Sequence, residues 1–253
     1  MPRLLVVGGM AAGMSAASKL KRLAPEWEAA VLEAGPDPSY GACGLPYWIG
    51  GVTGSDRDLY ALDPQEVARR GIDVQLRQKA LALREGKKKV LVEDLPSGRQ
   101  REEGYDALLI ATGARALLPE LRGLSGENLF TVHDLGDGRR LSRFIGDNRP
   151  RSALVWGTGY IGLEMAENLA ARGMAVTMVN RSERVLRTLV PELRGRVLRE
   201  LELRGVRVFL ETQVEEAISG GGRLVALKTD RGALSAALFL VATGVRPATA
   251  FLA

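Results

Sequence analysis

The sequence predicts an α/β fold made of two Rossmann-like βαβ domains, each with an antiparallel hairpin layer. Three observations support this fold: two glycine-rich turns, a short apolar run before each of them, and the same order of segments after each. The turns read Gly8-Gly9-Met10-Ala11-Ala12-Gly13 and Gly157-Thr158-Gly159-Tyr160-Ile161-Gly162. An apolar run, a glycine turn and a stretch of helical spacing form the context of a dinucleotide fingerprint. Two such turns predict two bound dinucleotides and electron transfer between them.

The two halves of the chain are predicted to repeat one order of elements. The first half contains a strand over 4–7, a helix over about 12–23, a strand over 29–32, strand-like segments around 73–78 and 88–93, and an Ala-Thr-Gly turn at 111–113. The second half contains a strand over 153–156, a helix through about 172, a strand over 175–179, alternating segments around the glycines at 220–222, and an Ala-Thr-Gly turn at 242–244. The repeat predicts one domain over 1–115 and a second over 116–244.

The residues at the ends of the second strands indicate which nucleotides bind. Glu33 lies 25 residues after Gly8, where a carboxylate can accept hydrogen bonds from an adenosine ribose. The matching position in the second half is Asn180, followed by Arg181 and, three residues later, Arg184. A carboxylate there would repel a 2′-phosphate, whereas an arginine would pair with one. The pattern favours NADPH, or use of both nucleotides, over strict NADH; two solvated arginines are the alternative interpretation.

Composition narrows the classes of partner. The chain has 35 basic and 30 acidic residues and 5% aromatic residues, and the charges are scattered, so no nucleic-acid partner is expected. There is no apolar stretch of transmembrane length, and a strand begins almost at once, which predicts no membrane association and a cytoplasmic location. No spacing typical of metal ligands is present, so no metal site is expected.

A single cysteine, Cys43, is the candidate redox group between the nucleotides. It lies in Ser39-Tyr40-Gly41-Ala42-Cys43-Gly44-Leu45-Pro46-Tyr47 and has no second cysteine to pair with. A lone redox cysteine has two useful oxidised forms, a mixed disulfide with a small thiol or a sulfenic acid. A buried, inert cysteine is the structural alternative.

Taken together, these segments resemble the single-cysteine branch of the FAD-dependent pyridine nucleotide-disulfide oxidoreductases, and within it the coenzyme A-disulfide reductases. The segments that carry the resemblance are Val7–Gly13, Cys43-Gly44-Leu45-Pro46-Tyr47, Tyr105-Asp106, Ala111-Thr112-Gly113, Gly157–Glu164 and Ala242-Thr243-Gly244-Val245-Arg246-Pro247. NADH oxidases and peroxidases share this frame but commonly have histidine where this chain has Met10. The resemblance implies a glutathione-reductase-like fold with an FAD domain over 1–115, an NAD(P) domain over 116–244 and the start of a return to the FAD domain over 245–253.

The resemblance also implies a role for individual residues. FAD would be held by Gly8, Met10, Ala11, Gly13, Glu33, Thr112 and Gly113, and Gly244 would also bind a cofactor. The reduced nicotinamide nucleotide, NADPH or NADH, would be held by Gly157, Thr158, Gly159, Tyr160, Ile161, Gly162, Asn180 and Arg181. Tyr160 resembles the tyrosine that covers the flavin, Glu164 the glutamate that helps to place the nicotinamide, and Cys43 the nucleophile. The residues at or near positions that contact CoA are Ser15, Lys19, Arg22, Ser39, Ala42 and Arg70.

The implied activity is transfer of hydride from NAD(P)H through FAD to a Cys43 mixed disulfide, which reduces CoA disulfide, or a CoA persulfide or polysulfide. One alternative is an oxidase or peroxidase that uses a Cys43 sulfenic acid. The other is a non-catalytic nucleotide-binding fragment. Relatives continue through a further flavin-binding segment and a domain that forms a homodimer. The sequence is therefore expected to be truncated at its C-terminus, with the FAD domain normally finished by residues after 244.

Overall fold

The computed structural model describes residues 1–252, and in that range it contains six α-helices and seventeen strands. The helices are α1 (Ala11–Leu23), α2 (Leu45–Gly50), α3 (Pro64–Arg69), α4 (Leu135–Asn148), α5 (Tyr160–Ala171) and α6 (Pro191–Leu203). The strands are β1 (Arg3–Val7), β2 (Glu28–Glu33), β3 (Ile72–Leu76), β4 (Gln78–Arg84), β5 (Lys89–Asp94), β6 (Arg99–Gly104), β7 (Ala107–Ile110), β8 (Ala114–Ala116), β9 (Leu129–Phe130), β10 (Ser152–Trp156), β11 (Ala175–Val179), β12 (Arg207–Phe209), β13 (Val214–Gly220), β14 (Arg223–Thr229), β15 (Gly232–Ser235), β16 (Leu238–Val241) and β17 (Val245–Pro247).

These elements divide into two compact units. The first contains 1–41, 59–115 and 247–252, and the second contains Ala42–Asp58 and Ala116–Arg246. The chain passes from one unit to the other after Gly41, Asp58, Arg115 and Arg246.

The first unit is built on a parallel sheet with strand order β3-β2-β1-β7. Successive side chains of a strand point to opposite faces of the sheet, and β1 shows this alternation. Leu5 and Val7 pack with Val90 and Val92 of the antiparallel sheet β4-β5-β6. Val6 packs on the other face with residues of α1 and β2. The sheet is thereby buried on both faces, which fixes the end of β1 where the first glycine turn begins.

The second unit repeats this arrangement. Its parallel sheet has the order β12-β11-β10-β16-β9, and its antiparallel sheet has the order β13-β14-β15. Leu154 of β10 and Phe239 of β16 pack with Leu224 and Leu227 of the antiparallel sheet. The predicted fold class is confirmed, with the central strand of each parallel sheet leading into a glycine turn.

Three details differ from the sequence prediction. The strand-like segment predicted around 73–78 is divided into two strands, because Arg77 adopts a left-handed φ of 57° and separates β3 from β4. The helices α4 and α6 were not predicted. The compact units also differ from the predicted nucleotide-binding domains by placing Ala42–Asp58 in the second unit. The domain ranges stay a prediction, and the last residue of the predicted segment 245–253 lies outside the described residues.

None of the helices within residues 1–252 combines the length and the apolar composition that crossing a bilayer requires. The longest of them, α4, has 14 residues.

Candidate functional site

The first glycine turn joins β1 to α1 and closes on the end of β7. Gly8 has a φ of +113°, and a Cβ atom placed on it would lie 2.2 Å from the carbonyl oxygen of Ala111. A Cβ on Gly13 would lie 1.9 Å from the carbonyl oxygen of Gly8. Both positions therefore require glycine, because the obstructing atoms belong to the backbone. Met10, at the second glycine position of the fingerprint, is the N-cap of α1 and is partly buried.

Glu33 braces this turn from the end of β2. One carboxylate oxygen accepts a hydrogen bond from the Gly9 N–H at 2.6 Å, and the other accepts one from the Gly35 N–H at 2.6 Å. A carboxylate oxygen has two lone pairs, so each oxygen retains one after these bonds. The side chain is thus positioned beside the turn with acceptor capacity left for a hydroxyl group.

The second glycine turn has the same construction. Gly157 has a φ of +121°, and a Cβ on it would lie 2.2 Å from the carbonyl oxygen of Ala242. A Cβ on Gly162 would lie 2.3 Å from the carbonyl oxygen of Gly157. A Cβ on Gly159, in contrast, would meet no atom within 4 Å. The first and third glycines are required by the fold, and the second faces open space.

Both helices that follow these turns begin without a side-chain cap among the described residues. The N-caps of α1 and α5, Met10 and Gly159, make no side-chain hydrogen bond, whereas Asp63 caps α3 and Asp134 caps α4. The first N–H groups of a helix lack partners within it and carry a partial positive charge. Two uncapped helix starts beside glycine turns can each receive a phosphate group.

The turn after β7 lies against the first glycine turn, and the turn after β16 lies against the second. Each pair of turns, with the helix start beside it, is called a cradle below. Gly113 has a φ of +63° and Gly244 a φ of +138°. Thr112 and Thr243 precede them, both partly buried. Ala11, predicted to contact the flavin nucleotide, is the exposed first residue of α1.

The loop after β11 carries the predicted specificity residues. The Asn180 side-chain amide donates to the carbonyl oxygens of Ser182 at 3.1 Å and Arg184 at 3.3 Å. The Arg184 guanidinium pairs with Glu183 at 3.0 Å. Asn180 therefore shapes the loop, and Arg181 lies exposed on it.

Tyr160 and Glu164 lie on one face of α5, four residues apart. Tyr160 is 61% exposed, and its hydroxyl lies 3.3 Å from that of Thr188. Burial raises the pKa of the Glu164 carboxyl above its ordinary value, and the nearby Glu167 raises it further. The second cradle thus combines an exposed aromatic ring with a carboxyl group that holds its proton more tightly than usual.

The raised pKa predicts how Glu164 affects stability. Because the folded state binds the proton more tightly, the stability that the protonated carboxyl contributes is complete below the ordinary value of 4.5. That stability is lost as the pH rises through the raised pKa of the folded state. The variant Glu164→Gln has no such loss. Thermal unfolding of both proteins across this pH window should therefore show that the stability of the variant, relative to the wild type, increases as pH rises. Above the raised pKa of the folded state the difference in stability should become constant. A difference independent of pH would contradict the shift.

Cys43 is exposed and lies in a short 3₁₀ turn, Ala42–Gly44, directly before α2. The helix is fixed through Leu45 and Ile49, which are 1% and 0% exposed. The thiol therefore belongs to the second unit, on a segment whose apolar side is buried there. The inert, buried cysteine considered as an alternative is excluded by this exposure.

The predicted CoA contacts lie mostly on or near α1. Ser15, Lys19 and Arg22 are exposed on that helix at spacings of four and three, which places them on one face. Arg70 reaches the same helix by donating to the Ser18 hydroxyl at 3.3 Å. Ser39 is 5% exposed.

Ser39 also has a left-handed φ of 53°, and its N–H donates to the Gly9 carbonyl oxygen at 2.9 Å. Its side chain is buried in the first unit, whereas Ala42 lies exposed in the second. The structure thus groups four of the six predicted contacts around α1 and places Ser39 against the first glycine turn.

Comparison with known families agrees with this geometry. The model of the pyridine nucleotide-disulphide oxidoreductases matches residues 2–253. The chain belongs to this family.

Individual relatives in the family are similar over nearly the whole chain. A Pyrococcus horikoshii protein named NAD(P)H coenzyme A polysulfide/persulfide reductase is 34% identical over 97% of this chain and 54% of its own length. A Staphylococcus haemolyticus coenzyme A disulfide reductase is 31% identical over 90% of this chain and 51% of its own length. The chain spans about half the length of the curated relatives it matches.

A solved structure adds a nucleotide-bound relative. It is an engineered water-forming NADPH oxidase, derived from the Lactobacillus brevis enzyme and bound to NADPH. It is 27% identical, with a TM-score of 0.92 over 98% of this chain and 55% of its own.

Within residues 1–252, no group of three or more histidine, cysteine, aspartate or glutamate side chains is arranged to hold a metal ion.

The structure also shows contacts that sequence reasoning missed. Thr188 lies opposite Tyr160, and Asn168 and Arg172 of the α5 region contact the end of α2. The i, i+4 spacing of the last two could have indicated a shared helix face, but the Arg172 partner is a backbone carbonyl distant in sequence.

Proposed function

We propose that this chain is the nucleotide- and thiol-bearing part of an NAD(P)H-dependent flavoprotein that reduces CoA disulfide, or a CoA persulfide or polysulfide. One observation carries the proposal: two glycine cradles of the same geometry occur in a chain whose single cysteine is exposed. Two nucleotide sites and one accessible thiol are the parts that a nicotinamide-to-disulfide relay requires. The names of the two curated relatives support CoA-linked sulfur compounds as the substrate class.

The first cradle fits FAD. Its phosphates would lie against the uncapped start of α1, and the free lone pairs of Glu33 would accept the ribose hydroxyls. Thr112 and Gly113 would close the cradle from the end of β7. When bound, FAD supplies the two-electron chemistry that links a nicotinamide to a disulfide.

The second cradle fits the reduced nicotinamide nucleotide. Gly157 and Gly162 shape the turn, and the open space at Gly159 would let the backbone approach the pyrophosphate. Tyr160 stands at the start of α5 as a movable cover, since its ring is exposed and its hydroxyl reaches Thr188. Glu164, one turn further on, would help to place the nicotinamide.

Cys43 would carry out the disulfide chemistry. Its thiolate attacks one sulfur of CoA disulfide, and the first CoA leaves as a thiolate that takes up a proton. The hydride of the reduced nucleotide supplies two electrons and one proton, which break the Cys43–CoA bond, release the second CoA as a thiol and restore the thiolate. The net reaction consumes one NAD(P)H, one further proton and one CoA disulfide, and it yields NAD(P)⁺ and two CoA thiols.

The cations on and near α1 would bind the phosphates of CoA. Lys19 and Arg22 are exposed at i, i+3 and Ser15 lies one turn before them. Arg70 contacts the same helix through Ser18, although it also pairs with Glu66 at 3.0 Å. Charge-assisted hydrogen bonds to phosphate suit such a cluster.

The loop after β11 supports NADPH as the preferred nucleotide. The engineered NADPH oxidase carries introduced residues in the order arginine, serine and, five positions later, arginine. This chain has Arg181, Ser182 and, five positions later, Arg187, and no carboxylate stands at Asn180. Arg181 and Arg187 are exposed, so neither guanidinium group is buried away from a 2′-phosphate on a bound nucleotide.

This preference predicts a selective effect of substitution. Losing one hydrogen bond to a charged group costs about 1.5–3 kcal/mol. Arg181→Ala and Arg187→Ala should therefore each raise the KM for NADPH about 10- to 100-fold, with little change in the KM for NADH. Arg184→Ala is the control, because Arg184 is already paired with Glu183. Equal effects on both nucleotides would reject a 2′-phosphate site.

The proposed activity is tested by acceptor dependence. The oxidation of NADPH by the flavin-loaded protein would be followed at its near-ultraviolet band with CoA disulfide, oxygen or hydrogen peroxide as the acceptor. CoA disulfide is expected to give the fastest oxidation, with two CoA thiols formed for each NADPH. Faster turnover with oxygen or peroxide would favour the oxidase or peroxidase alternative. If the protein cannot be loaded with flavin and oxidises NADPH with none of these acceptors, the non-catalytic fragment is favoured.

A further inference from the structure

We infer that Arg172 and Asn168 are positioning residues for Cys43, because they hold the helix that follows the thiol against the helix that begins at the nucleotide turn. All the contacts that support this lie within the second unit. The inference rests on the proposed reductase function, in which Cys43 is the reacting thiol.

Arg172 anchors the end of α2. It is the C-cap of α5, and its Nη1 atom donates to the carbonyl oxygen of Ile49 at 2.7 Å. The last carbonyl groups of a helix have no partner within it and carry a partial negative charge. A guanidinium group satisfies such a carbonyl and complements its charge. For a helix of six residues, one such anchor fixes a large part of the element.

Asn168 packs so closely against the end of α2 that only glycine fits at position 50 without a shift. A Cβ atom on Gly50 would lie 2.1 Å from the Asn168 Oδ1 atom, so any larger residue would push α2 away. Asn168 is 5% exposed, and its Nδ2 atom donates to the Glu164 carbonyl oxygen at 2.8 Å. That bond ties the amide to its own helix, which limits how far it can move aside.

The other side of α2 rests on α4. A Cβ on Gly138 would lie 2.9 Å from the Trp48 ring and 3.0 Å from the Leu45 side chain. Further along the segment, Asp56 pairs with Arg139 at 2.7 Å. The helix that follows the thiol is thus wedged between α4 and α5.

The helix α5 connects the packing of α2 to the nucleotide turn. The helix α5 begins at Tyr160, in the nucleotide turn, and its C-terminal end holds α2. Its 12 residues span about 18 Å at 1.5 Å per residue. Cys43 lies two residues before α2. The nucleotide turn and the thiol segment are therefore placed by one rigid element, and Arg172 acts through α2 without touching the reacting sulfur.

Hydrogen exchange of the full chain tests the anchor directly. The proteins compared are the wild type, Arg172→Met, which removes the donor, and Arg172→Lys, which keeps a cation and a donor. Arg204→Met is the control, because Arg204 forms an exposed ion pair with Glu167 of the same helix. Amides of 45–52 should exchange at least about tenfold faster in Arg172→Met, with no change in β10 and β11. Unchanged exchange over 45–52 would overturn the inference.

Kinetics test the consequence for the thiol. In Arg172→Met, kcat with CoA disulfide should fall about 10- to 100-fold, the effect of a small misplacement of a reacting group. The KM for NADPH should stay within about twofold, and Arg172→Lys should recover most of kcat. An unchanged kcat, or a parallel loss of nucleotide binding, would overturn the positioning role. A wild type inactive with CoA disulfide would contradict the reductase proposal instead, while the exchange measurement would still decide whether Arg172 holds the segment.

Discussion

Replacing Cys43 by serine is expected to abolish disulfide reduction and to leave nucleotide binding intact. Serine lacks a sulfur, so no mixed disulfide can form, and a neutral hydroxyl is a far weaker nucleophile than a thiolate. The loss of kcat with CoA disulfide should be on the order of 1,000-fold or more, as is typical when a nucleophile that acts together with other catalytic groups is removed. The side chain is exposed, so the substitution should not alter the stability of the fold.

Intact mass of the purified protein supplies the matched measurement. Wild type purified without reductant and denatured should carry the added mass of one CoA, which dithiothreitol removes. Cys43→Ser should show the unmodified mass in both samples. Added oxygen atoms in place of CoA would favour the oxidase or peroxidase chemistry. A bare thiol on the wild type would argue against a resting mixed disulfide.

The glycine turns show what a sequence can predict about this fold. Gly8 and Gly157 are selected by positive φ angles and by carbonyl groups 2.2 Å from where a Cβ would lie. Such constraints act locally and permit only one residue type, so the pattern is readable without a structure. Glu33 was predictable for a similar reason, because its position follows from the length of one βα unit.

The surroundings of Cys43 show why other features were not predictable. The sequence around it has a weak amphipathic pattern, and α2 is too short to form on propensity alone. Its position depends on Arg172, whose partner is a backbone carbonyl 123 residues away. Every residue type has a main-chain carbonyl group, so the sequence does not mark Ile49 as the acceptor. The helix α4 was a different omission, since Asp134 gives it a recognisable N-cap.

Substituting two glycines of the second turn by alanine should separate folding from nucleotide binding. In Gly162→Ala the new methyl group would lie 2.3 Å from the Gly157 carbonyl oxygen, so the turn must shift. Forcing an extra methyl group into a packed site costs about 1–3 kcal/mol, which lowers the Tm of a protein of this size by about 2–12 °C. Nucleotide affinity should fall with it, because the same turn forms the cradle.

Gly159→Ala is the matched variant with the opposite expectation. Gly159 has φ −77° and ψ −179°, which alanine adopts readily, and no atom lies within 4 Å of the added methyl group. The Tm should therefore stay that of the wild type. The KM for NADPH should rise at least about tenfold, because the methyl group occupies space that the pyrophosphate needs. Thermal unfolding of both variants measures the effect on stability, and nucleotide titration measures the effect on NADPH binding. If Gly159→Ala binds NADPH as the wild type does, the pyrophosphate does not approach this glycine, and the nucleotide site proposed for the second turn is wrong.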